Sequence, residues 1–436
     1  MQRILSFIAS CFLLSLLSSG ATPTIPDTPA GRVFGNWLEA FNSGDSSLLK
    51  AHYQKHRAGK SADRDIQFRT MTGGFDLLSI DENQPQRLVF RVKERLRNVT
   101  AIGNLIVDDR EPPQVSRFSL LAIPPGSGDP DFTIDAGLRE RVIDKAIKKL
   151  DQYYVFPDLA KEMAEAVRAR QRRGEYASVT DGDEFAKLLT DHFREVNNDK
   201  HLRVMFSPVP RSERPANQVP RTARDEQRRK RLEQSNCGFE KAERLAGNIG
   251  YVKFNMFADP TFCRPTAIAA MNFLANVNAV IFDLRENRGG HPAMVALLSS
   301  YLFSEPTHLN NLWERKSGET KQYWTLSDIP GKRLTEQSAY VLTSRRTFSA
   351  AEEFSYNLQQ LDRARIVGET TGGGAHPVSG HRIEGRFHVM VPYARAINPI
   401  SKTNWEGVGV KPDVEVPAVE ALDKAIQLAR ETQKSR

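Results

Sequence analysis

Cysteine is scarce in this sequence, with three residues among 436. Neither Cys237 nor Cys263 lies near histidines or carboxylates at the spacing of a structural zinc site, so the sequence predicts no metal site and no organic cofactor. The third cysteine, Cys11, belongs to an apolar amino-terminal segment that export would remove. In an oxidising compartment the other two can form a disulfide, and two buried free thiols are the alternative. We therefore predict a disulfide between Cys237 and Cys263.

Long apolar runs are missing beyond the first residues. Residues 4–17 form one such run, behind Arg3 and ahead of a small-residue triplet at 19–21. The run is too short to span a bilayer comfortably, and its flanks are typical of a secretory signal peptide. A lipoprotein-like sequence precedes Cys11, but the apolar run continues past it, which disfavours lipidation. We expect residues 1–21 to be a signal peptide and the protein to be periplasmic or extracellular, without an integral membrane span.

Aromatic residues are absent from the most basic segment, residues 210–231, which contributes much of the net charge of +8. Its cations are Arg211, Arg214, Arg221, Arg224, Arg228, Arg229, Lys230 and Arg231. Nucleic-acid surfaces interleave cations with aromatic side chains for base stacking, so the segment does not favour a nucleic acid as partner. Its prolines and polar residues instead predict a solvated, flexible linker over residues 207–235.

Two nucleotide-binding patterns are absent from a glycine loop in the second half of the chain. Residues 279–284 (AVIFDL) form a nearly continuous apolar strand, as parallel sheets require, and a helix is predicted from 294 to 302. Between them, Gly289 and Gly290 expose backbone N–H groups above the carboxyl edge of a sheet. The loop matches neither G-x-x-x-x-G-K-[ST] nor G-x-G-x-x-G, so it binds neither phosphate nor dinucleotide in those modes. A structural turn is the alternative.

Ser349 occupies a second junction between a strand and a helix. Residues 339–342 are apolar, a polar turn follows, and an amphipathic helix begins at Phe348 or Ser349. The first N–H groups of a helix are unpaired and favour negative charge, so a serine there can lie beside donors for an oxyanion. The alternative is an N-cap role, with Glu352 completing a capping box.

The first part of the chain, residues 28–122, has a pattern of its own. An amphipathic helix that contains Val33 and Phe41 precedes four runs typical of strands, at 75–80, 87–94, 100–108 and 116–123. A helix followed by a curved antiparallel sheet resembles the SnoaL-like or nuclear-transport-factor-like α+β fold. His52 and His56 lie one helical turn apart without an acidic partner at fitting spacing, and we predict them on the surface.

A proline–glycine segment at 124–128 marks a boundary, after which three amphipathic helices are predicted at 136–153, 157–172 and 182–196. They would form a small bundle. A polar turn at 197–200 then leads to His201, the first residue of the alternating strand HLRVMF. A histidine at a strand start is often a structural, hydrogen-bonded residue, but this position can also hold a side chain at the edge of a cleft.

Five motifs occur together in the last two thirds of the chain. They are NDKHLRV at 198–204, VIFDLRENRGG at 280–290, TFSAAEEF at 347–354, VGETTGGGAHP at 367–377 and NWEGVGVKPD at 404–413. Their order and spacing resemble the tail-specific, or carboxy-terminal processing, serine peptidase family, in the branch of interphotoreceptor retinoid-binding protein and the tricorn core protease. The resemblance covers roughly residues 135–430. It implies a crotonase/ClpP-like α/β core at 236–430 with a helical cap at 133–206.

The resemblance also implies roles for single residues. Ser349 matches the nucleophile, and the backbone N–H groups of Gly289, Gly290 and Ala350 match the oxyanion hole. One branch of the family uses a lysine downstream of the serine, but no lysine lies between Arg346 and Arg382.

The tricorn-like branch uses a histidine and a glutamate instead, which His201 and Glu406 match. In the glycine-rich loop, His376 is the alternative base or a substrate contact, together with Gly373 and Gly374. We therefore predict an exported serine peptidase that acts on peptides or proteins. No PDZ module is recognisable. An esterase that uses the same triad, or a non-catalytic carrier of a hydrophobic ligand, are the alternatives.

Overall fold

The computed structural model describes residues 23–209 and 221–434. The chain divides into two compact units, of which the first ends at Pro130 and the second begins at Asp131. The predicted signal peptide, with Cys11, lies outside the described residues, as do Arg211 and Arg214 of the predicted linker. Within the described ranges, no helix is both long and apolar enough to cross a membrane.

The first unit contains three helices and one antiparallel sheet with the strand order β1-β2-β3-β4. The helices are α1 (Pro29–Ser43), α2 (Ser46–His56) and α3 (Asp63–Thr72), and the strands are β1 (Phe75–Asn83), β2 (Arg87–Glu94), β3 (Thr100–Val107) and β4 (Val115–Ala122). Thr28 caps α1 by accepting from the Gly31 N–H, and Phe34 packs on Phe90 of the sheet with 4.0 Å between ring centres. The predicted helix and four strands are confirmed, whereas α2 and α3 were not predicted.

The predicted surface position of His52 and His56 is wrong, because both side chains are buried. They share the inward face of α2 with Leu49 and Tyr53, and Nδ1 of His56 lies 2.8 Å from the carbonyl oxygen of Pro113. Burial, followed by the nearby His56 and arginine charges, lowers the pKa of His52 to about 3. The ring is therefore neutral at physiological pH. A neutral buried histidine needs no carboxylate, so the missing acidic partner did not indicate exposure.

The second unit begins with the helical cap, which is α4 (Ala136–Tyr153), α5 (Pro157–Arg172) and α6 (Gly182–Asn197). The side chains of Asp135 and Asp181 cap α4 and α6. The helices pack on an antiparallel sheet of order β13-β14-β5, which comprises β5 (Arg203–Phe206), β13 (Val378–Glu384) and β14 (Phe387–Pro392). The three predicted helices are confirmed, and β5 is the strand that follows His201.

Part of the predicted flexible linker is helical, because residues Arg221–Gln234 form α7. This stretch contains neither glycine nor proline, and two of its cations, Arg229 and Lys230, form ion pairs with carboxylates one helical turn away. Lys230 lies 3.0 Å from Glu226, and Arg228 reaches Asp259 at 3.4 Å. The prolines that suggested a linker precede the helix.

The core is a six-stranded sheet of order β16-β12-β11-β8-β7-β6, parallel except for the β6–β7 pair. Its strands are β6 (Phe239–Leu245), β7 (Ile249–Phe254), β8 (Ala279–Asp283), β11 (Ser338–Thr343), β12 (Arg365–Gly368) and β16 (Val414–Glu415). Helices α8 (Pro260–Phe273), α9 (Pro292–Ser299) and α10 (Ala350–Gln360) cover one face, and α11 (Ala421–Lys434) covers the other. A small antiparallel sheet, β10-β9-β15, adds β9 (His308–Glu314), β10 (Thr320–Trp324) and β15 (Ala394–Ile397).

Coverage of both faces explains why the central strands are apolar throughout. Val341 of β11 faces the helices α8 to α10, whereas its neighbours Tyr340 and Leu342 face α11. Cys237 and Cys263 form a disulfide, with a Cα–Cα distance of 5.7 Å, that joins the start of β6 to α8. The unit is thus an α/β core in three layers with a helical cap, and the first unit is α+β.

Candidate active site

Ser349 lies in the tight turn between β11 and α10. Its backbone has φ 58° and ψ −122°, which glycine adopts easily and residues with a side chain rarely adopt. The preceding turn is fixed to the end of β8, because the Thr347 hydroxyl donates to the Leu284 carbonyl (2.8 Å) and the Ser344 hydroxyl to the Arg285 carbonyl. A serine in a strained strand-to-helix turn has the arrangement of a nucleophile elbow.

Glu352 is a fully buried carboxylate that joins this turn to the glycine-rich loop 370–376. It accepts the N–H of Ser349 (2.8 Å), Gly373 (2.6 Å) and Gly374 (2.9 Å), and also the hydroxyl of Thr371. Burial raises its pKa, and these hydrogen bonds oppose the rise. The sequence indicated only the capping contact with Ser349. The N–H groups of Gly373 and Gly374, predicted substrate contacts, are thus engaged within the protein.

The next residue, Glu353, is buried as well, but its one hydrogen bond comes from Asn310 at 3.2 Å. Burial raises the pKa of Glu353 to about 7, from 4.5 in the unfolded chain. The protonated form therefore stabilises the fold fully below pH 4.5, and this contribution is lost as the pH rises through 7.

We predict that Glu353→Gln removes this loss. As the pH rises, the free energy of unfolding of the variant should increase relative to that of wild type by up to about 3 kcal/mol, since one pKa unit corresponds to about 1.4 kcal/mol. Urea titrations from pH 5 to 8.5 measure this difference. The difference between the two proteins isolates Glu353 from the histidines that titrate in the same range. A difference that stays constant with pH would contradict the assignment.

The Gly289–Gly290 loop touches the nucleophile turn. A Cβ atom at Gly289 would lie 2.6 Å from Cβ of Ser349 and 2.8 Å from the Ala350 nitrogen. The Gly289 N–H donates to Oδ1 of Asn287 (2.9 Å), so it is engaged. Within the part of the chain that the structure describes, no hydrogen bond uses the N–H of Gly290 or of Ala350. These two groups are the remaining donors of the predicted oxyanion hole.

A buried ion pair holds this loop at the end of β8. The Asp283 carboxylate accepts Nε of Arg285 (2.9 Å) and the hydroxyl of Tyr251 (2.7 Å). Burial would raise the pKa of Asp283, but the hydrogen bonds and charge of Arg285 lower it overall. The Asn287 amide donates to the Phe254 carbonyl at 2.9 Å, so both sides of the loop are fixed. In the sequence, only Gly289 and Gly290 indicated that this loop has a special role.

His201 lies beside the same turn. Its ring packs against Phe348, the neighbour of Ser349, with 4.6 Å between ring centres, and a Cβ on Gly374 would be 2.7 Å from its Cε1 atom. The backbone N–H of His201, not its ring, donates to Oδ1 of Asp199 at 3.0 Å. Burial lowers the ring's pKa to about 4, although the Asp199 charge acts in the opposite direction. The imidazole is therefore neutral, and among the described residues its buried Nδ1 has no hydrogen-bond partner.

Glu406 does not contact His201 in any hydrogen bond or ion pair of the described residues. Its Oε2 accepts the Ala375 N–H and lies 3.4 Å from Nδ1 of His376. Burial raises the pKa of Glu406 to about 7, an effect that the neighbouring His376 opposes. The predicted direct pair of His201 and Glu406 is therefore absent from this structure, and Glu406 pairs with His376.

The reason is the way the loop 404–409 attaches to the glycine-rich loop. Nε1 of Trp405 donates to the Gly374 carbonyl (2.8 Å), and the Gly407 N–H donates to the Gly373 carbonyl (3.1 Å). These bonds place the side chain of Glu406 over residues 375 and 376. A motif match gives the position of a residue in the chain, whereas the direction of its side chain depends on such contacts.

His376 and Asp199 complete the site. Nδ1 of His376 lies 2.9 Å from Oδ2 of Asp199, which also accepts the Tyr154 hydroxyl at 3.1 Å. Asp199 was missed, although it stands two residues before His201 in a motif quoted above. The ligand atoms of Asp199, His376 and Glu406 lie within 4.8 Å of one another, so these are the residues that could hold a metal ion. The hydrogen bond between Asp199 and His376 and the contact of Glu406 with the same Nδ1 already explain why these three side chains lie close together.

Comparison with known proteins agrees with the motifs. Residues 248–416 match peptidase family S41, and residues 138–235 match the N-terminal domain of peptidase S41 in eukaryotic IRBP. The carboxyl-terminal-processing peptidase 2 of Arabidopsis thaliana chloroplasts is 28% identical over 179 residues, which are 39% of this chain and 32% of that protein. The match therefore spans about a third of the relative's length.

The chain is also similar to two solved structures over about two thirds of its length. One, of a protein from Parabacteroides merdae assigned as a peptidase, is 17% identical and covers 67% of this chain and 96% of its own, with a TM-score of 0.47. The other, the photosystem II D1 C-terminal processing protease, is 15% identical and covers 67% of this chain and 97% of its own, with a TM-score of 0.41. On the two domain matches and the five motifs, the chain belongs to peptidase family S41, the tail-specific serine peptidases.

Proposed function

We propose that this protein is a serine peptidase of the carboxy-terminal processing type and that Ser349 is its nucleophile. The observation that carries the proposal is the backbone of Ser349. Its φ and ψ angles are costly, by about 1–3 kcal/mol for such a conformation, and a plain N-cap does not need them. They set the side chain at the first turn of α10, next to Ala350 and against the glycine loop, where a Cβ at Gly289 would lie 2.6 Å from Cβ of Ser349.

The groups around Ser349 support acyl transfer. Its Oγ attacks the carbonyl carbon of a peptide bond while the neutral His201 takes the hydroxyl proton. The carbonyl oxygen becomes an oxyanion, which the N–H groups of Gly290 and Ala350 and the positive end of α10 stabilise. His201 then protonates the departing amine, and the C–N bond breaks. A water molecule, deprotonated by His201, hydrolyses the resulting ester and restores Ser349.

Glu406 is the third group of the proposed triad, and it acts through His376, whose Nδ1 it contacts at 3.4 Å. We also propose that the protein is exported, as its disulfide suits an oxidising compartment. Fractionation of cells that express the full chain tests this, with mass spectrometry of the amino terminus. A cytoplasmic, uncleaved protein with free thiols would contradict export.

The test of the activity is labelling with a fluorophosphonate probe, followed by hydrolysis of peptide libraries. We expect wild type to label and Ser349→Ala not to label, with Ser317→Ala, an exposed serine, as the matched control. His201→Ala should label at least about 100-fold more slowly, as expected for loss of a general base. Labelling with cleavage of esters but not peptides would favour an esterase. A folded wild type that does not label would favour a ligand carrier.

A further inference from the structure

Three buried side chains and the half-buried Glu406 connect the cap to the core beside the proposed base. We call Tyr154, Asp199, His376 and Glu406 the Asp199 network. Tyr154 and Asp199 belong to the cap, whereas His376 and Glu406 belong to loops of the core. Asp199 is 1% and His376 4% exposed, so water does not screen the charges of this network effectively. In the proposed mechanism, no step uses Asp199 or His376.

Asp199 is the member that faces both histidines. Its Oδ1 accepts the backbone N–H of His201 at 3.0 Å, and its Oδ2 accepts from the ring Nδ1 of His376 at 2.9 Å. Glu406 lies 3.4 Å from the same Nδ1. The path from Glu406 to His201 therefore runs through His376 and Asp199.

We propose that Asp199 and His376 are positioning residues of the peptidase reaction, which link Glu406 to the base His201. The inference rests on the proposed function. His376 donates its Nδ1–H to Asp199, and this bond keeps Asp199 ionised and fixed beneath the His201 backbone. The ionised Asp199 then stabilises the imidazolium that His201 becomes when it takes the proton of Ser349.

Electrostatics explains why His201 requires this support. Burial is the main cause that disfavours a positive charge on the His201 ring and lowers its pKa. The nearby charges of His376, Arg203 and Arg194 lower this pKa further. Asp199 is the group that opposes them. Burial would also raise the pKa of Asp199, but the hydrogen bond and charge of His376 lower it overall. The negative charges of Asp199 and Glu352 favour the protonated form of the Glu406 carboxyl, whereas His376 favours its ionised form.

Three variants test the roles by removing one property each. Asp199→Asn removes the charge and keeps the shape. His376→Ala removes the donor. In His376→Asn, the amide nitrogen can take the place of Nδ1 and donate to Asp199, but it cannot act as a base. Tyr176→Phe is the control, because it removes a buried hydrogen bond elsewhere in the cap, between the Tyr176 hydroxyl and Nδ1 of His192 (2.8 Å), and lies outside the network.

The measurement is the rate of fluorophosphonate labelling of the full chain from pH 4 to 9, with the melting temperature of each variant. We expect the probe to label Asp199→Asn about 10–100-fold more slowly than wild type, because loss of such a partner of a catalytic group commonly costs that factor. The acid limb of its pH–rate profile should move to lower pH. His376→Ala should be slowed similarly, His376→Asn should recover most of the rate, and Tyr176→Phe should stay close to wild type.

The outcomes separate this inference from the proposed function. If wild type labels at Ser349 and both Asp199→Asn and His376→Ala keep its rate and pH profile, the positioning role is wrong and the peptidase assignment stands. If His376→Asn is as inactive as His376→Ala, His376 is itself the base and the inference is overturned. If wild type does not label at all, both proposals fail together.

Discussion

Replacing Ser349 with glycine is expected to abolish catalysis and to stabilise the protein relative to Ser349→Ala. Loss of the nucleophile should lower kcat by at least about 10⁴-fold, as such removals do in other serine peptidases. Both variants lack the hydroxyl, so they should be equally inactive. They differ in the backbone, because φ 58° and ψ −122° are strained for alanine and relaxed for glycine.

The stability difference measures that strain. The strained conformation costs of order 1–3 kcal/mol, and glycine loses roughly 0.5–1 kcal/mol more than alanine in chain entropy on folding. We therefore expect Ser349→Gly to unfold at higher urea than Ser349→Ala, by about 1 kcal/mol. Ser344→Gly and Ser344→Ala are the matched pair, since Ser344 precedes Ser349 in the same turn and is not among the positive-φ residues. Equal stability of the two Ser349 variants would show that the turn relaxes at no cost.

This prediction couples the fold to the proposed function. A residue whose only task was to cap α10 would be selected for an unstrained backbone, and its replacement would destabilise the helix. A nucleophile must in addition hold its hydroxyl next to the oxyanion donors, which a capping role does not require. Backbone strain held at a reactive residue is the expected trade-off between stability and activity at such a site.

The architecture could be predicted largely from local patterns. The core strands have long apolar runs because helices cover both faces of the sheet, and the cap helices have strong three- and four-residue periodicity with aspartate caps. Helices with a weak apolar periodicity could not be found this way. α2 buries four residues, of which two are histidines, α3 fully buries Thr72 alone, and α7 is covered by charged side chains that pair along its surface.

The candidate site was predictable as a set of residues but not as a set of contacts. The chain position of Glu406 follows from its motif, yet loop hydrogen bonds direct its carboxylate to His376. Asp199 and Glu352 were overlooked in their main roles, because their partners are 177 and 22 residues away in the chain. Contacts at such separations depend on how sheet edges and loops meet, which local spacing does not encode.

Glu352→Gln is expected to damage activity and stability together. All four partners of the carboxylate are donors, namely three backbone N–H groups and the hydroxyl of Thr371. Thr371 cannot easily reverse its role, because its oxygen already accepts the Val410 N–H at 2.7 Å. A glutamine must place an NH₂ group against two of these donors. Each buried donor left without an acceptor costs about 1–3 kcal/mol, so we expect a loss of roughly 2–5 kcal/mol.

The loss of activity follows from position. Glu352 fixes the Ser349 N–H and the loop at Gly373 and Gly374, and a shift of about 1 Å in a reacting group costs on the order of 100-fold in rate. The labelling rate of folded Glu352→Gln should fall by about that factor at temperatures well below its unfolding. Glu353→Gln is the matched control, as the same change one residue later meets a single partner, Asn310, and should leave labelling unchanged.

The comparison of the two glutamates decides between two roles for Glu352. If it were only a helix cap, Glu352→Gln would lower stability by about 1 kcal/mol and leave the labelling rate of the folded protein near wild type. If it holds the nucleophile turn and the glycine-rich loop in register, the rate falls even where the protein remains fully folded. The network of four donors around one buried carboxylate favours the second result, because a cap requires one of those bonds and the other three fix the loop.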